Sequence, residues 1–215
     1  MNKFAILLTS CVSAVNCSKR EIYYRKKLYL KVIDKWLTET NIPIYLVESS
    51  GYNFKIDHPR FKCVSFQQKV HGNVEKSQAE AKSILYAYKK FKKEWKEYTH
   101  IIKITGRYFL EDLEKWFHRH EKGKRNLKID IWHQNQEGPF LRYLFSFIIG
   151  RWINSEIFIC RISKLKSVLY QVDTIMEEHL GKVIESGYYK FAVLPSFKNT
   201  LKSRKGDGNA FLEYL

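Results

Sequence analysis

Over the first half of the chain, short apolar runs alternate with longer segments of helical period, and this alternation limits the fold more than any other feature. Phe4–Thr9 reads as a buried strand. Arg20–Leu37 carries Tyr24, Leu28, Val32 and Trp36 at helical spacing, with Ile33 and Leu37 beside them; Asn41 and Pro43 stop it. Ile44–Val47 and Phe61–Phe66 are further strands. A helix follows with Ala81, Ile84, Tyr88, Phe91 and Trp95 at three- and four-residue steps. A Thr99–Ile104 strand comes next, then a helix holding Leu110, Leu113 and Phe117. Strands that alternate with helices are joined by crossovers, so the pattern predicts an α/β fold of Rossmann type, a mostly parallel central sheet flanked by helices.

The second half is less regular. Leu127–Trp132 is strand-like, and Phe140–Ile149 fits either a helix or a strand. Glu156–Ile162 reads as a strand, Ser163–Tyr170 as a short helix, and Asp173–Ser186 as a longer one with Asp173 as its N-cap. Phe191–Leu194 is a last short strand stopped by Pro195. No repeat, linker or low-complexity segment divides the 215 residues, so one domain is expected over 1–215.

The formal net charge is +16, from 38 Lys+Arg against 22 Asp+Glu, which implies attraction to anionic partners. Part of that excess only keeps helix faces solvated, as in Lys89-Lys90-Phe91-Lys92-Lys93. Of the four cysteines, Cys63 and Cys160 lie in apolar runs and none forms a Cys-x-x-Cys pair; free buried thiols and a reducing, cytoplasmic setting are expected. The apolar run Phe4–Leu8 is too short for a usual signal peptide, and no run reaches transmembrane length.

Candidate chemistry gathers where strands end. In Lys103-Ile104-Thr105-Gly106-Arg107-Tyr108 a hydrophobic strand stops abruptly, and ligands of open α/β sheets sit at carboxyl ends of strands. Arg107 would make a bidentate phosphate contact, Lys103 would add a point charge, and Gly106 would allow a sharp turn or a close approach. The plainer alternative is a β-turn with two surface cations. In Glu48-Ser49-Ser50-Gly51-Tyr52, Tyr52 would stack on a base and Glu48 would hold a ribose hydroxyl, unless the segment is an ordinary turn. The helix opening at 72–80, with Lys76, offers N–H groups to an anion or is simply capped. Glu178, beside Glu177 and His179, would act as general base on an acceptor hydroxyl, or be a solvated helix residue. Arg204, Lys205 and Asp207 would close over a diphosphate. Trp132-His133-Gln134-Asn135-Gln136 would read sugar hydroxyls, with Trp132 as a platform. No glycine-rich dinucleotide fingerprint, P-loop or His/Cys metal spacing occurs, which argues against dehydrogenase and P-loop ATPase functions.

Taken together, Leu7-Leu8-Thr9-Ser10, Pro43–Tyr52, Lys103–Leu110 and Gly206-Asp207-Gly208 resemble small GT-A-type glycosyltransferases of large DNA viruses, algae and bacteria. The resemblance implies a GT-A-like domain with a nucleotide-sugar-binding half over 1–125 and an acceptor-side half over 126–215. It implies a nucleotide-sugar donor at the carboxyl ends of the first strands, near Thr9, Ser10, Ser49, Gly51, Thr105 and Tyr108, and a glycan or glycoconjugate acceptor at Trp132, Gln134 and Asn135. One departure matters. GT-A enzymes carry Asp-x-Asp after the fourth strand to bind a divalent metal, and this chain has Lys-Ile-Thr-Gly-Arg-Tyr there and no Asp-x-Asp anywhere. Either Lys103 and Arg107 replace the metal by fixed charge, or the fold has outlived the activity. The expectation is a glycosyltransferase that needs no cofactor, with Mn or Mg as an optional aid, inversion as the simplest course, and no nucleic-acid partner. The competing expectation is a basic nucleic-acid-binding or processing protein, based on the charge and the lysine-interleaved aromatics of Tyr86–Trp95.

Overall fold

The computed structural model describes residues 3–14, 17–68, 73–120, 129–135, 153–174 and 176–194. Among these residues seven strands form one sheet: β1 (Phe4–Ser10), β2 (Ile44–Glu48), β3 (Phe61–Ser65), β4 (His100–Thr105), β5 (Ile131–Asn135), β6 (Ile153–Arg161) and β7 (Phe191–Val193). Among the described residues five helices accompany it: α1 (Lys19–Glu39), α2 (Asn73–Phe91), α3 (Leu113–His120), α4 (Leu165–Val168) and α5 (Met176–Glu185). The order is β3-β2-β1-β4-β6-β5-β7. The chain steps outward from β1 to β3, then returns to place β4 on the other side of β1, so the switch point lies between β1 and β4.

β1 fits this central place because it is apolar on both faces. Phe4, Ile6 and Leu8 pack with Val32, Ile33 and Trp36 of α1 and with Leu113, Trp116 and Phe117 of α3. Ala5 and Leu7 point the other way, into a second core with Ala81, Ile84, Ala87 and Phe91 of α2 and Leu180 and Ile184 of α5. α1 is fixed at its start by a capping box. Ser18 Oγ accepts from the Glu21 backbone N–H at 3.2 Å, and Glu21 Oε2 accepts from the Ser18 N–H at 2.6 Å.

Several expectations shift. The sheet is mostly parallel, but β6 runs antiparallel to both β4 and β5. Trp95 falls in a separate 3-10 turn, Glu94–Glu97, beyond the end of α2. The helix expected from Asp173 begins at Met176, and its first N–H donates to Ser77 Oγ at 3.0 Å. Cys160 is fully buried, whereas Cys63 is only half-buried, with burial pushing its thiol up to about 11; all four cysteines are free. The segment 140–149 lies outside the described residues. No described helix is long and apolar enough to cross a membrane.

Candidate functional site

The carboxyl edge of β1, β2 and β4 is held together by side chains from the loops themselves. Glu48, last in β2, is fully buried. Its Oε1 accepts from the Val12 N–H at 2.8 Å and from Ser50 Oγ; its Oε2 accepts from the N–H groups of Ser50 at 2.9 Å and Tyr52 at 2.7 Å. A charge with no solvent is tolerable here because four donors surround it. Both carboxylate oxygens are therefore engaged, and Glu48 organises the loops after β1 and β2 rather than reaching out to a ribose. Ser49 belongs to the same weave, its N–H and hydroxyl both donating to the Ser10 carbonyl at 3.0 and 3.2 Å. Ser10 Oγ donates to the Val47 carbonyl at 3.3 Å. Gly51 sits at φ +82°, where a side chain would be strained, and a Cβ there would lie 2.6 Å from Gln67 Oε1. Tyr52 is half-buried against Phe54, and the Lys26 ammonium lies over its ring at 5.1 Å.

At the exit of β4 the two basic residues part company. Lys103 is 1% exposed. Its ammonium meets Glu80 Oε1 at 2.6 Å, the Ser155 carbonyl at 2.6 Å and Thr105 Oγ1 at 3.3 Å. Three donors thus have three protein acceptors, so Lys103 does not stand open to a phosphate as the sequence suggested. Thr9 Oγ1 also donates to Glu80 Oε1, at 3.2 Å, which ties β1 to α2. Glu80 was not singled out from the sequence, although its spacing held the signal. It shares a helical row with Ile84, Ala87 and Phe91, so a charge there faces the sheet.

Arg107 is different. Its guanidinium lies 3.4 Å from Glu156 Oε1 and 5.4 Å from the centre of the Tyr108 ring. Tyr108 itself donates to the same carboxylate oxygen at 2.8 Å. Burial opposes the charge on Arg107, but Tyr108, Tyr29 and Glu156 outweigh it and hold its pKa above the ordinary value. Burial, reinforced by Glu156, pushes the Tyr108 phenol up to about 12. The Arg107 Nε–H is buried and has no acceptor among the described residues. Gly106 matters for close approach, though to protein rather than ligand. Its N–H donates to the Thr9 carbonyl at 2.8 Å, and a Cβ would stand 2.8 Å from that oxygen. Glu156, which orients Arg107, was missed because it comes from the strand whose antiparallel insertion the sequence does not announce.

The remaining candidates scatter. Trp132 is not a surface platform; it is 2% exposed and packs among Phe4, His100 and Trp116 at centroid distances of 6.4, 4.8 and 6.3 Å. The backbones of Gln134 and Asn135 belong to β5; their side chains, with Arg204 and Asp207, lie outside the described residues. Lys76 is exposed in the first turns of α2. Glu178 lies on α5, half-exposed, and pairs with Lys182 at 3.1 Å. Of the aromatics interleaved with lysines, Phe91 and Trp95 face inward, being 4% and 1% exposed, while Tyr86 and Tyr88 are half-buried.

Glu48, Glu80 and Glu156 are each already bound by donors of the protein, and the β4 exit presents cations. No group of three or more metal-ligating side chains occurs among the described residues.

No family model matches the chain, and neither does any curated protein. Solved structures do. One is a glycosyltransferase involved in the glycosylation of the major capsid of PBCV-1, at 12% identity and a TM-score of 0.50, covering 88% of this chain and 81% of that one. Another is the bifunctional IspDF from Campylobacter jejuni, at 10% identity and a TM-score of 0.55, covering 91% of this chain and 50% of that one. At such identities the likeness is one of fold, and the fold is a single α/β domain of Rossmann-like type, shared with a viral glycosyltransferase.

Proposed function

We propose that the protein is a glycosyltransferase that takes a sugar from a nucleotide-sugar donor and places it on a glycan hydroxyl, using Arg107 instead of a metal ion to hold the donor's phosphates. The Nε–H of Arg107 carries the reading. It is a buried donor without an acceptor, at the carboxyl end of β4 beside the switch point, and a bound anion would satisfy it. The fold shared with a capsid-glycosylating enzyme supports the reading.

In this mechanism the acceptor hydroxyl attacks the anomeric carbon and the bond from that carbon to the donor phosphate breaks. The proton passes to a carboxylate, and charge developing on the leaving diphosphate is met by Arg107. Glu156 and Tyr108 keep the guanidinium in place. Glu178 is the proposed base. The first residue of α5 is tied to Ser77 in α2, at the same edge of the sheet to which the strands deliver the donor. Lys182 pairs with that carboxylate at 3.1 Å, one turn further along the helix. One base and one stabilised leaving group suffice for inversion. Thr9, Ser10, Ser49, Gly51, Tyr52 and Thr105 form the wall against which the nucleoside lies, with Lys76 at the start of α2.

Thermal stability measured against nucleotides and nucleotide sugars, each with and without Mn, tests this. A ligand at about a hundred times its Kd adds about 2.7 kcal/mol to the native state. One nucleotide class should raise Tm without metal, and Arg107→Ala should abolish that rise while leaving the ligand-free Tm within a few degrees. A rise only with Mn refutes the metal-free mechanism. No rise with any nucleotide, alongside tight DNA or RNA binding at physiological salt, refutes the glycosyltransferase.

A further inference from the structure

Far from Arg107, at the amino-terminal edge of β4, lies a hollow of about 300 Å³. It opens where the end of α2 and the turn Glu94–Glu97 meet the last residue of β6, since Arg161 pairs with His100 in register. Tyr88, Trp95, Tyr98 and Ile162 give it apolar walls. Lys92 and Lys96 stand on it, both exposed, and neither is in an ion pair among the described residues. Arg161 also borders it but is held elsewhere, its Nε donating to Asp130 at 2.9 Å and its NH2 to the Ile129 carbonyl at 3.1 Å. Trp95 is 1% exposed, and its indole N–H has no acceptor among the described residues.

These features have a joint reading. A small concave site walled by aromatic rings, with a few polar groups, suits a flat apolar body. Two exposed ammonium groups on its lining, outside any ion pair among the described residues, suit a negative head group. Lysines that served only solubility would need no aromatic hollow between them, and a gap in the packing would need no lysines.

We propose that this hollow is a second ligand site, taking a small amphiphilic anion: one aromatic ring, or a similarly flat apolar group, that carries a phosphate or carboxylate. The ring lies against Tyr88, Tyr98 and Ile162, with Trp95 packed beneath Tyr88 at a centroid distance of 6.2 Å, and the anion lies on Lys92 and Lys96. The site shares no residue with the Arg107 edge, so it stands or falls separately from the proposed transferase activity.

Phenyl phosphate is the probe, and the indole N–H resonances of the five tryptophans are the readout, with that of Trp95 assigned through Trp95→Phe. The Trp95 resonance should move saturably, with a Kd of about 1 mM or tighter, while the others stay. Inorganic phosphate and benzyl alcohol, each bearing half of the chemistry, should bind roughly tenfold more weakly. The double variant Lys92→Ala/Lys96→Ala should weaken phenyl phosphate about fivefold or more, and Arg107→Ala should leave it unchanged. The site is refuted if the Trp95 resonance is still at about 10 mM probe, or if all five indoles move together. Equal binding of inorganic phosphate, or indifference to the lysine double variant, refutes the ligand class.

Discussion

Gly106 lies where the chain leaving β4 presses against β1 at the carboxyl edge of the sheet, and its lack of a side chain is a packing requirement. A methyl group would meet the Thr9 carbonyl oxygen at 2.8 Å and the Tyr29 ring at 3.4 Å. Neither is a flexible side-chain tip, so Gly106→Ala should destabilise by about 1–3 kcal/mol in urea unfolding. Lys103 presents the opposite case, a charge buried because its partners come with it. Lys103→Ala leaves the Ser155 carbonyl and Glu80 without their cation, and Glu80 is only partly exposed. The expected loss is about 2–4 kcal/mol, measured the same way, somewhat under that of a wholly buried pair. The sequence told that Lys103, Gly106 and Arg107 stand together at a strand end. It did not tell which cation is open, because that depends on strand parity. Lys103 shares its face of β4 with Ile101, toward α2, where Glu80 waits. The carboxylates Glu80 and Glu156 lie 23 residues before and 53 after Lys103 in the chain (103 − 80 and 156 − 103), so no local motif joins them.

Among the elements, those with strong punctuation were legible. Helix α1, read as Arg20–Leu37 with Asn41 and Pro43 as its stop, runs over Lys19–Glu39, and the structure adds the Ser18–Glu21 capping box at its start. Removing the cap with Ser18→Ala should cost about 1 kcal/mol, read as a fall in the urea midpoint. Hydrogen bonds from Ser18, backbone first and hydroxyl second, hold the Glu21 carboxyl below its usual pKa. The folded pKa is the lower one, so this contribution is present above the ordinary carboxylate range and is lost as pH falls through the folded value. Ser18→Ala should therefore matter less in acid than at neutral pH. Less punctuated elements misled. Trp95 keeps step with Phe91 and Tyr88 in the sequence, yet the chain leaves the α-helix at Phe91 and re-forms as a 3-10 turn, which still delivers Trp95 to the core. Apolar spacing reports which side chains are buried and only indirectly the backbone that buries them. The same limit applies to Trp132, read as a platform because polar residues follow it and buried because β5 lies inside the sheet. Strand direction leaves no mark of this kind, so the antiparallel course of β6 emerged only in three dimensions.

For the molecule as a whole, His100 is a buried source of pH dependence. It is fully buried, with its ring nitrogens at 2.9 Å from Thr99 Oγ1 and 3.1 Å from the Ile129 carbonyl, and burial lowers its pKa to about 4. In the unfolded chain a histidine titrates near 6.5. Between these values the unfolded state binds the extra proton, so stability is complete above about pH 6.5 and declines as pH falls toward 4. The decline should reach roughly 1–3 kcal/mol, and His100→Gln should flatten that part of the stability–pH curve in chemical unfolding. The net charge of +16 adds a general repulsion that salt screens. β1 sends Phe4, Ile6 and Leu8 to one interior and Ala5 and Leu7 to the other. A strand sewn into both sides gives neither layer a way to come apart alone. Loosening α1 and α3 slackens the very strand on which α2 and α5 rest, so the two interiors share one melting event, and the frayed margins of such a protein are its outer strands rather than either of its faces.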